Sequence, residues 1–356
     1  MTIGNREELA ALIRSGHEAN ALDLRGLDLR SAVLSGGVFN ACDFSGADLS
    51  AADLRQSSFF DCRFDAANLA DARMQDSFFA RCFFVRSSMF KASALNTNFA
   101  ECQFSEADLS HTDLGLVVFV KSKLDRVRFC GARTDRANLL ECEVIAPDFS
   151  ATLLDRVVVL KADLRAANFA GAILKNVVFL QCLLAGQNFA GSDLTQSQLI
   201  GADVSGCDFS GATLRQCNFQ GGKAAGAIFR KADARNAIFM SCELAGADFQ
   251  GARLMQAIFV EAQAAQARFN DADMRQCLLM KAVCLQATFA GAQLDEADCS
   301  HADLREADLR GASLFRTKLH GVQDKGAAFT DRVRALESDT ELLAAEQWQP
   351  RTVKTA

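Results

Sequence analysis

Residues 46–54 read GADLSAADL, and this stretch contains the spacing that decides the fold. Leu49 and Leu54 are five residues apart, and an apolar residue, most often leucine or phenylalanine, recurs at that spacing over residues 24–319. The column has 60 positions without an insertion, and Thr134 is its one polar member. Small residues recur two positions earlier. A period of five fits neither a helix nor a flat strand, so we expect a chain that turns a corner every five residues.

A second, 20-residue period gives the number of sides in each coil. Cys42, Cys62 and Cys82 recur at this spacing, and nine phenylalanines do so over residues 129–289. Like residues at this spacing are expected where residue n+20 stacks on residue n. Four sides of five residues then form one square coil, and the coils stack at the strand spacing of about 4.8 Å. Residues 24–329 make about 15 such coils.

The stretch at 46–54 and the run HADLREADLRGASL at 301–314 resemble the pentapeptide-repeat proteins and their A(D/N)LXX consensus. The resemblance covers about 300 of the 356 residues. It implies an all-β solenoid, a right-handed quadrilateral β-helix of about 15 coils with short α-helical caps at both ends; the family alone supplies the handedness. The final third, with SLFRTKLHG at 313–321 and RALESDTELLAAEQWQP at 334–350, is more weakly similar to pentapeptide-repeat proteins of bacterial type VI secretion clusters.

The chain divides into three segments on this interpretation. An N-terminal helical cap covers residues 1–20, the β-helix covers residues 21–329, and a C-terminal helical cap with a tail covers residues 330–356. An open stack of coils exposes unpaired backbone at each end, so the caps are interpreted as lids. Dimerisation through the C-terminal segment, as in some relatives, is the alternative.

The helix signals at the two ends have the spacing of a capping box. Asn5 and Glu8 have it at the N-terminus, where Gly16 provides a stop signal. Ser338 and Glu341 repeat it near the C-terminus. These residues predict one short helix at each end, and residues 330–337 are expected to add a preceding turn of helix to the second.

Composition excludes several classes of protein. A net charge of −6 argues against a basic nucleic-acid binder, and we expect no direct nucleic-acid partner. No stretch approaches the ~18 apolar residues of a membrane span, and the N-terminal MTIGNREELAAL lacks the features of a secretory signal. We therefore expect a cytoplasmic protein without a membrane partner. Its 13 cysteines are interpreted as free thiols, and those in the 20-residue columns as small apolar filler.

Patterns that carry catalysis or bind cofactors are not found. The four histidines, His17, His111, His301 and His320, show no spacing typical of metal ligands or of an activated nucleophile. We predict no enzyme activity, no cofactor and no catalytic or metal-binding residue. Pro147 is the one proline inside the repeats and cannot donate a ladder hydrogen bond. It predicts a kink or a widened corner near residues 145–148.

One side of the square coil differs from the other three in its outward positions. These are apolar over about nine coils, whereas the equivalent positions elsewhere are mostly Asp, Asn, Arg, Ser and Gln. The apolar members are Val118, Val120, Leu140, Val158, Leu160, Val178, Leu180, Ile200, Ile238, Met240, Ile258, Val260, Leu278 and Met280. The interruptions are Asn138, Gln198, Asn218 and Gln220. β-branched residues suit strands generally, but that preference acts on all four sides, so the asymmetry favours a protein interface.

Other outward residues extend or contrast with this side. Phe60, Phe78 and Phe83 fall outside the core column and are expected to extend the apolar side toward the N-terminus. Charges of alternating sign recur at the 20-residue spacing over residues 61–161, and an amide column recurs over residues 176–276. Both columns are interpreted as structural. The charges support the register only weakly, because exposed ion pairs contribute about 0–1 kcal/mol each, and the amides form a ladder of the cross-β kind.

Two function hypotheses follow. The first is a non-enzymatic scaffold or adaptor that binds a protein through the apolar side or the terminal segments; the partner is a second copy or a secretion or effector component. The alternative comes from the family resemblance, because relatives bind type II topoisomerases such as gyrase by mimicking duplex DNA and so protect them from inhibitors. Mimicry needs a continuous acidic surface. The densest acidic region, residues 295–308, contains Arg305, so the scaffold is favoured.

Overall fold

The computed structural model describes residues 3–346 and residue 348, and it is an all-β solenoid with two short helices. The coils form two compact units. The first contains the chain up to Ala185 together with Gln196–Asp203, and the second contains Gly186–Thr195 together with the chain from Val204. The solenoid has about 16 turns. The fold class predicted from the five-residue period is therefore confirmed.

The first unit contains most of the regular elements. In chain order these are α1 (Arg6–Arg14), β1 (Ala19–Asn20), β2 (Val38–Asn40), β3 (Ser58–Phe60), β4 (Phe78–Ala80), β5 (Asn98–Ala100), β6 (Val118–Val120), β7 (Asn138–Leu140), β8 (Leu153–Asp155), β9 (Val158–Leu160), β10 (Ile173–Lys175) and β11 (Val178–Leu180). The second unit adds β12 (Asp308–Leu309), β13 (Ala328–Phe329) and α2 (Thr340–Glu346). The strands have only two or three residues because a corner follows each one.

The strands named above all pair in parallel at the 20-residue register, whereas the bridge between Lys318 and Leu336 spans 18 residues. Nine strands of the first unit, β1 to β7 with β9 and β11, form one continuous sheet, in which Phe39 pairs with Phe59 and Phe59 with Phe79. The other three sides pair at the same register, mostly through single bridges. Examples are Asp23 with Asp43, Asp28 with Asp48, and Val33 with Asp53. Four ladders five residues apart make each coil four-sided, as the 20-residue period predicts.

The corners explain why the period is five. The residue at most corners has a positive φ, such as +67° at Gly46, +56° at Ala51 and +57° at Gln56. The backbone N–H of Ala47 then donates to the carbonyl of Phe44 at 3.0 Å across the corner. A positive φ at the third residue and a hydrogen bond from the N–H of the fourth residue to the carbonyl of the first are features of a type II turn. The next large residue therefore points inward five positions later.

The core consists of stacked large side chains. In the first unit the rings of Phe39 and Phe59 lie 4.6 Å apart at 5°, and neighbouring sides meet edge to face, as Phe39 and Phe44 do at 5.7 Å. In the second unit Phe229 and Phe249 stack at 4.6 Å and 4°. Aromatic pairs at these separations contribute about 0.5–1.5 kcal/mol beyond burial alone, so the stacks reinforce the 20-residue register.

All 13 cysteines are free thiols, and 12 of them are buried. The thiol of Cys62 donates to the carbonyls of Phe60 at 3.3 Å and Phe39 at 3.5 Å. Burial raises the pKa of Cys142 and Cys182 to about 11, which keeps these thiols protonated and unreactive. The contacts agree with the interpretation of the cysteine columns as core filler.

Pro147 follows an irregular corner of the first unit, within the residues 145–148 where a kink or a widened corner is predicted. In the next coil the residue at this position donates across the corner, as Ala167 does to Leu164 at 3.1 Å, and proline has no N–H to do so. Among the described residues no bridge joins Glu143 to Asp163, although Glu143 pairs with Lys123 in the coil below. The corner opens into a recess of about 330 Å³ beside Ile145.

Helix α1 agrees with its sequence signals. The Asn5 side chain accepts a hydrogen bond from the Glu8 N–H at 3.0 Å, and the Glu8 carboxylate accepts from the Gly4 N–H at 2.8 Å. Gly16 ends the helix with φ +76°. Leu9 and Ile13 are buried, so the helix packs on the solenoid as a lid.

The C-terminal end differs from its prediction in two respects. Asp339, not Ser338, caps α2, because the Asp339 carboxylate accepts from the N–H groups of Glu341 and Leu342 at 3.0 Å. The Ser338 hydroxyl instead accepts from the Gly321 N–H at 3.0 Å. Residues 330–337 form no helix; they continue the coil, and Leu336 pairs with Lys318. Neither described helix has the length and hydrophobicity that crossing a bilayer requires.

Candidate protein-interaction site

The apolar side of the first unit lies on its nine-stranded sheet. Strands β6, β7, β9 and β11 hold the predicted residues in the outward positions, with a buried core residue between them. The outward residues placed there are Val118, Val120, Leu140, Val158, Leu160, Val178 and Leu180. All are half-buried, and Ile200, which follows the bridge at Gln198, has 36% exposure. We call this surface, from Val118 to Ile200, the apolar face.

Two of the three phenylalanines continue this sheet toward the N-terminus. Phe60 lies on β3 and Phe78 on β4, and their rings are 5.8 Å apart. Phe83 does not join them, and its prediction is wrong. It belongs to the next ladder, between Arg63 and Gln103, because it follows the corner after β4. Its ring lies 4.9 Å from the guanidinium of Arg63, which stabilises it as a cation–π pair.

The second unit has a matching run of apolar residues on one ladder. Ile238, Ile258 and Leu278 form consecutive bridges. Met240, Val260 and Met280 follow two positions later in the same coils, and all six side chains are half-buried. Asp298 and Lys318 continue the ladder and form an ion pair at 3.1 Å, so the apolar run of this unit ends at Met280.

The polar interruptions of the apolar face turn toward their own backbone. Asn138 donates from its side chain to the Arg136 carbonyl at 3.3 Å, and Gln198 donates to the Gln196 carbonyl at 3.2 Å. Both amide groups therefore donate within their own coil, and not to a side chain of the next coil. Outward polar residues are nevertheless compatible with this sheet, so a polar substitution on the face does not by itself prevent folding.

Other sides of the first unit carry polar pairs at the same outward positions. On one side Asn68 donates to the Asp48 carboxylate at 3.0 Å, and on another Arg73 pairs with Asp53 at 3.0 Å. The longest apolar run on another side of this unit is Leu153 and Ile173, which spans two coils, and a charged residue follows each of them. Five consecutive coils with outward apolar residues therefore distinguish the apolar face.

Many of the acidic side chains are paired with arginines within the surface. Asp23 receives two hydrogen bonds from Arg25, at 2.8 and 2.7 Å, and this contact holds the pKa of its carboxyl at about 2. The same pairing recurs wherever arginine follows aspartate by two residues on a side. Examples are Asp53 with Arg55, Asp163 with Arg165, and Asp273 with Arg275.

The densest acidic region shows the same pairing. Asp303 pairs with Arg305 at 2.6 Å, and Asp308 pairs with Arg310 at 2.7 Å. Glu306 accepts from the Gln286 side chain at 2.7 Å. Anionic mimicry of a phosphate backbone requires carboxylates without adjacent cations, and this region does not present them in a continuous row.

Contacts between successive coils occur in both corner columns. Arg81 binds Asp61 through two hydrogen bonds of 2.7 and 2.8 Å. In the second unit Gln256 donates to Gln276 at 3.0 Å, and Gln276 donates to Glu296 at 2.9 Å. These contacts join successive coils and agree with the interpretation of both columns as supports for the register.

The spacing of the histidines does not predict one cluster of titratable groups. His301, His320 and Glu346 converge near the C-terminus, with their ligand-type atoms within 4.8 Å of one another. The sequence contains a partial signal, because the 20-residue register places residue 321 on His301 and so brings His320 beside it. Glu346 joins them from α2, whose position no local pattern gives.

Two family models match the repeats. The model described as pentapeptide repeat region matches residues 172–249. The model described as pentapeptide repeats (8 copies) matches residues 23–61, 84–119, 97–133, 257–294 and 292–323. Together the matches cover well over half of the chain, which belongs to the pentapeptide-repeat family. The resemblance that the A(D/N)LXX blocks indicate is thereby confirmed.

Solved structures with a similar fold come from several pentapeptide-repeat proteins. Full-length QnrB1, a plasmid-mediated fluoroquinolone resistance protein, is 22% identical over 55% of this chain and 97% of its own, with a TM-score of 0.26. HetL from Nostoc sp. strain PCC 7120, involved in heterocyst differentiation regulation, is 19% identical over 94% of each chain, with a TM-score of 0.18. No curated protein matches the chain. At these values the similarities give no information about a partner.

Proposed function

We propose that this protein is a non-enzymatic interaction scaffold and that the apolar face binds a protein partner. The observation that carries the proposal is the run of outward apolar residues on five consecutive coils of a single side of the first unit. Half-buried valine and leucine side chains present an apolar surface that a partner can cover. Removing this surface from water stabilises association by about 25 cal/mol per Å².

The structural explanation for these residues is strand propensity, and it accounts poorly for the asymmetry. The same coil geometry holds on all four sides, and Arg63, Asn68 and Arg73 occupy the equivalent positions on the other three. β-propensity acts on each side alike. A single apolar side therefore supports selection for contact with another molecule.

In this proposal the partner is a protein, and the experiment has to distinguish between classes of protein partner. A second copy of the chain is one partner. The weak similarity of the final third to proteins of type VI secretion clusters makes a secretion or effector component another, with the protein acting as an accessory or adaptor. Gyrase binding by DNA mimicry is the alternative function, and the neutralised carboxylates, such as Asp303 and Asp308, weigh against it.

The test compares two doubly charged variants of the full-length protein. Val158→Asp/Val178→Asp places charges on adjacent coils of the apolar face. Ala66→Asp/Ala151→Asp adds the same charge at exposed corners of positive φ on the first unit, where Asp61 and Asp71 are already accommodated. Light scattering measures solution mass, and pull-downs with purified gyrase and with lysate of the source cells measure partner binding.

We expect the apolar-face variant to lose self-association or partner recovery by at least about tenfold, a change of about 1.4 kcal/mol. The corner variant should behave as the wild type, and circular dichroism should show both variants folded. Equal recovery of one partner by both variants would contradict the proposal. Loss of gyrase binding on neutralising Asp303 and Asp308, with no effect of the valine changes, would support the DNA-mimicry alternative instead.

A further inference from the structure

We propose that His301, His320 and Glu346 form a binding site for a divalent transition-metal ion of the zinc class, and that the ion fastens α2 to the last coils of the second unit. The Nε2 atoms of both histidines lie 3.2 Å from Oε2 of Glu346. Ligands about 2.0–2.1 Å from a tetrahedral ion are separated by about 3.3 Å. Two edges of such a tetrahedron are therefore already present.

The fold builds this arrangement at a corner. His301 has φ +59°, and its imidazole lies over the next corner of the same column, at Gly321. A Cβ atom on residue 321 would lie 2.4 Å from His301 Nδ1. Only glycine at that corner leaves room for the ring. The two imidazoles meet edge to face, with centroids 5.2 Å apart and planes at 88°.

Helix α2 supplies the third ligand. Asp339 caps the helix, and its backbone N–H donates to His320 Nδ1 at 3.2 Å. Seven residues later Glu346, the last residue of α2, places its carboxylate against the Nε2 atoms of both rings. The side chain of His320 is only 13% exposed, so it is enclosed between the coil and the helix. None of the residues of α2 is buried, and the contacts of Glu346 and Asp339 with His320 are therefore important for its attachment.

The hydrogen bonds define what happens to the protons. Because Asp339 donates to Nδ1 of His320, the proton of the neutral ring is on Nε2 and points to the Glu346 carboxylate. A metal ion needs the Nε2 lone pair. On binding, the proton therefore moves from Nε2 to Nδ1 of the same ring, the hydrogen bond from Asp339 breaks, and its N–H turns to solvent. No net proton is released from a neutral His320.

The donor set identifies the class of ion. Two imidazoles and one carboxylate suit zinc, cobalt and nickel, whereas calcium and magnesium prefer oxygen ligands alone. Three protein ligands leave one position of a tetrahedron open for water or for a group from a partner. The role inferred here is attachment of α2, and it is independent of the apolar face.

The first experiment titrates the full-length protein with Co²⁺ and then displaces the Co²⁺ with Zn²⁺. The chain has four histidines, so His301→Ala/His320→Ala and His17→Ala/His111→Ala remove equal numbers. Alanine already occupies equivalent positions at the corners, such as Ala51, and just before them, such as Ala100. His17 lies between α1 and β1 and is exposed. Both variants should therefore fold. We expect the wild type and His17→Ala/His111→Ala to bind one equivalent with the intense visible absorption of tetrahedral cobalt.

The affinity of His301→Ala/His320→Ala should fall by more than about tenfold, since even the loss of an outer-sphere partner costs about 10–100-fold in metal affinity. Unchanged binding in this variant, or the absence of stoichiometric binding in the wild type, would overturn the proposal. Loss of binding in His17→Ala/His111→Ala alone would do the same.

A second experiment measures what the ion does to the helix. Hydrogen exchange of residues 340–346 is followed with and without Zn²⁺ in the wild type and in Glu346→Gln, in which a neutral amide replaces the carboxylate ligand. Zinc should slow exchange in the wild type at least about tenfold, by raising the free energy of local opening about 1.4 kcal/mol. It should have little effect in the variant. Equal protection in both proteins would show that the ion does not act through Glu346 and would overturn the attachment role.

Discussion

At the scale of the residue, Thr134 is informative because it breaks the column of large apolar residues. Leu114 and Leu154 occupy the positions below and above it, and the threonine is buried between them. Its hydroxyl donates to the Leu153 carbonyl at 2.7 Å, so burial leaves no polar group unpaired. The smaller side chain leaves a different defect, an internal cavity of about 10 Å³ that Thr134 helps to line. Packing, not hydrogen bonding, is what the column loses here.

Thr134→Leu should therefore stabilise the first unit. The change replaces the hydroxyl by hydrocarbon and adds one non-hydrogen atom that can fill the cavity, and a void the size of a methyl group costs about 1 kcal/mol. The Leu153 carbonyl keeps a partner, since it also accepts from the N–H of residue 134 at 3.2 Å. Urea unfolding followed by circular dichroism should show a higher midpoint. The reverse change at Leu114, to threonine, serves as the control and should lower the midpoint; a lower midpoint in Thr134→Leu would show that the cavity cannot accept a methyl group.

At the scale of the element, α2 depends on its N-terminal cap more than most helices do. It has seven residues and none is buried, and isolated helices shorter than about 12–15 residues are marginal in water. Asp339 satisfies two of its free N–H groups. The adjacent Ser338 instead holds the Gly321 N–H of the last coil. The two neighbouring residues thus have separate tasks.

Asp339→Ala should unwind α2, whereas Ser338→Ala should leave it intact. Loss of an N-cap costs about 1 kcal/mol, which is a large fraction of the stability of so short a helix. Hydrogen exchange of residues 340–346 should become several-fold faster in Asp339→Ala. In Ser338→Ala the change should appear at Gly321. Faster exchange of the helix in Ser338→Ala, with none in Asp339→Ala, would restore Ser338 as the cap.

At the scale of the whole molecule, carboxylates paired with arginines determine how stability responds to acid. Asp233 of the second unit is the best example, with a side chain only 13% exposed and contacts of 2.8 Å from both Arg235 and Arg215. Burial favours its neutral form, but the hydrogen bonds and charges of the two arginines outweigh burial and hold its pKa at about 2. A depressed native pKa contributes stability at pH values above the ordinary pKa near 4, and this contribution is lost as the pH falls through about 2.

Asp233→Asn should accordingly lower the free energy of unfolding at pH 7 by about 1–2 kcal/mol, once solvent screening is allowed for. The difference from the wild type should shrink between pH 4 and pH 2, because the wild-type carboxyl is then protonated as well. Chemical denaturation at several pH values measures both effects. Asp271→Asn, at an exposed corner of the same unit, is the matched control. A difference independent of pH would contradict the linkage.

Most of the fold could be predicted from sequence because interior positions are dictated by packing alone. Leu49 and Leu54 must point inward because the interior of a coil is closely packed. Pro147 must remove a hydrogen bond because proline has no N–H. The choice between Ser338 and Asp339 could not be made, since both are good caps and only the last coil distinguishes them. Phe83 directly precedes the core residue Phe84, so the register places it on the side that follows the apolar one; the prediction that it extends the apolar side rests on its apolar character alone.

The candidate site was predicted less completely than the fold. The register determines which residues of the apolar side point outward, so the positions of Val158 and Val178 could be predicted from the sequence. The convergence of His301, His320 and Glu346 could not. It depends on the path of residues 330–346 around the end of the solenoid, and tertiary contacts determine that path.

Because the five-residue spacing is unbroken, the solenoid can be shortened or lengthened only in fixed steps if its interior is to stay intact. Removing one full 20-residue period from within one unit deletes a whole coil and leaves every later side chain on its original side. Removing five residues preserves the inward column and the corners, but all later residues move to the adjacent side, so the downstream surface turns by a quarter of a revolution. Gene rearrangements in steps of five codons could therefore rotate a binding surface about the axis of its unit without disturbing the interior.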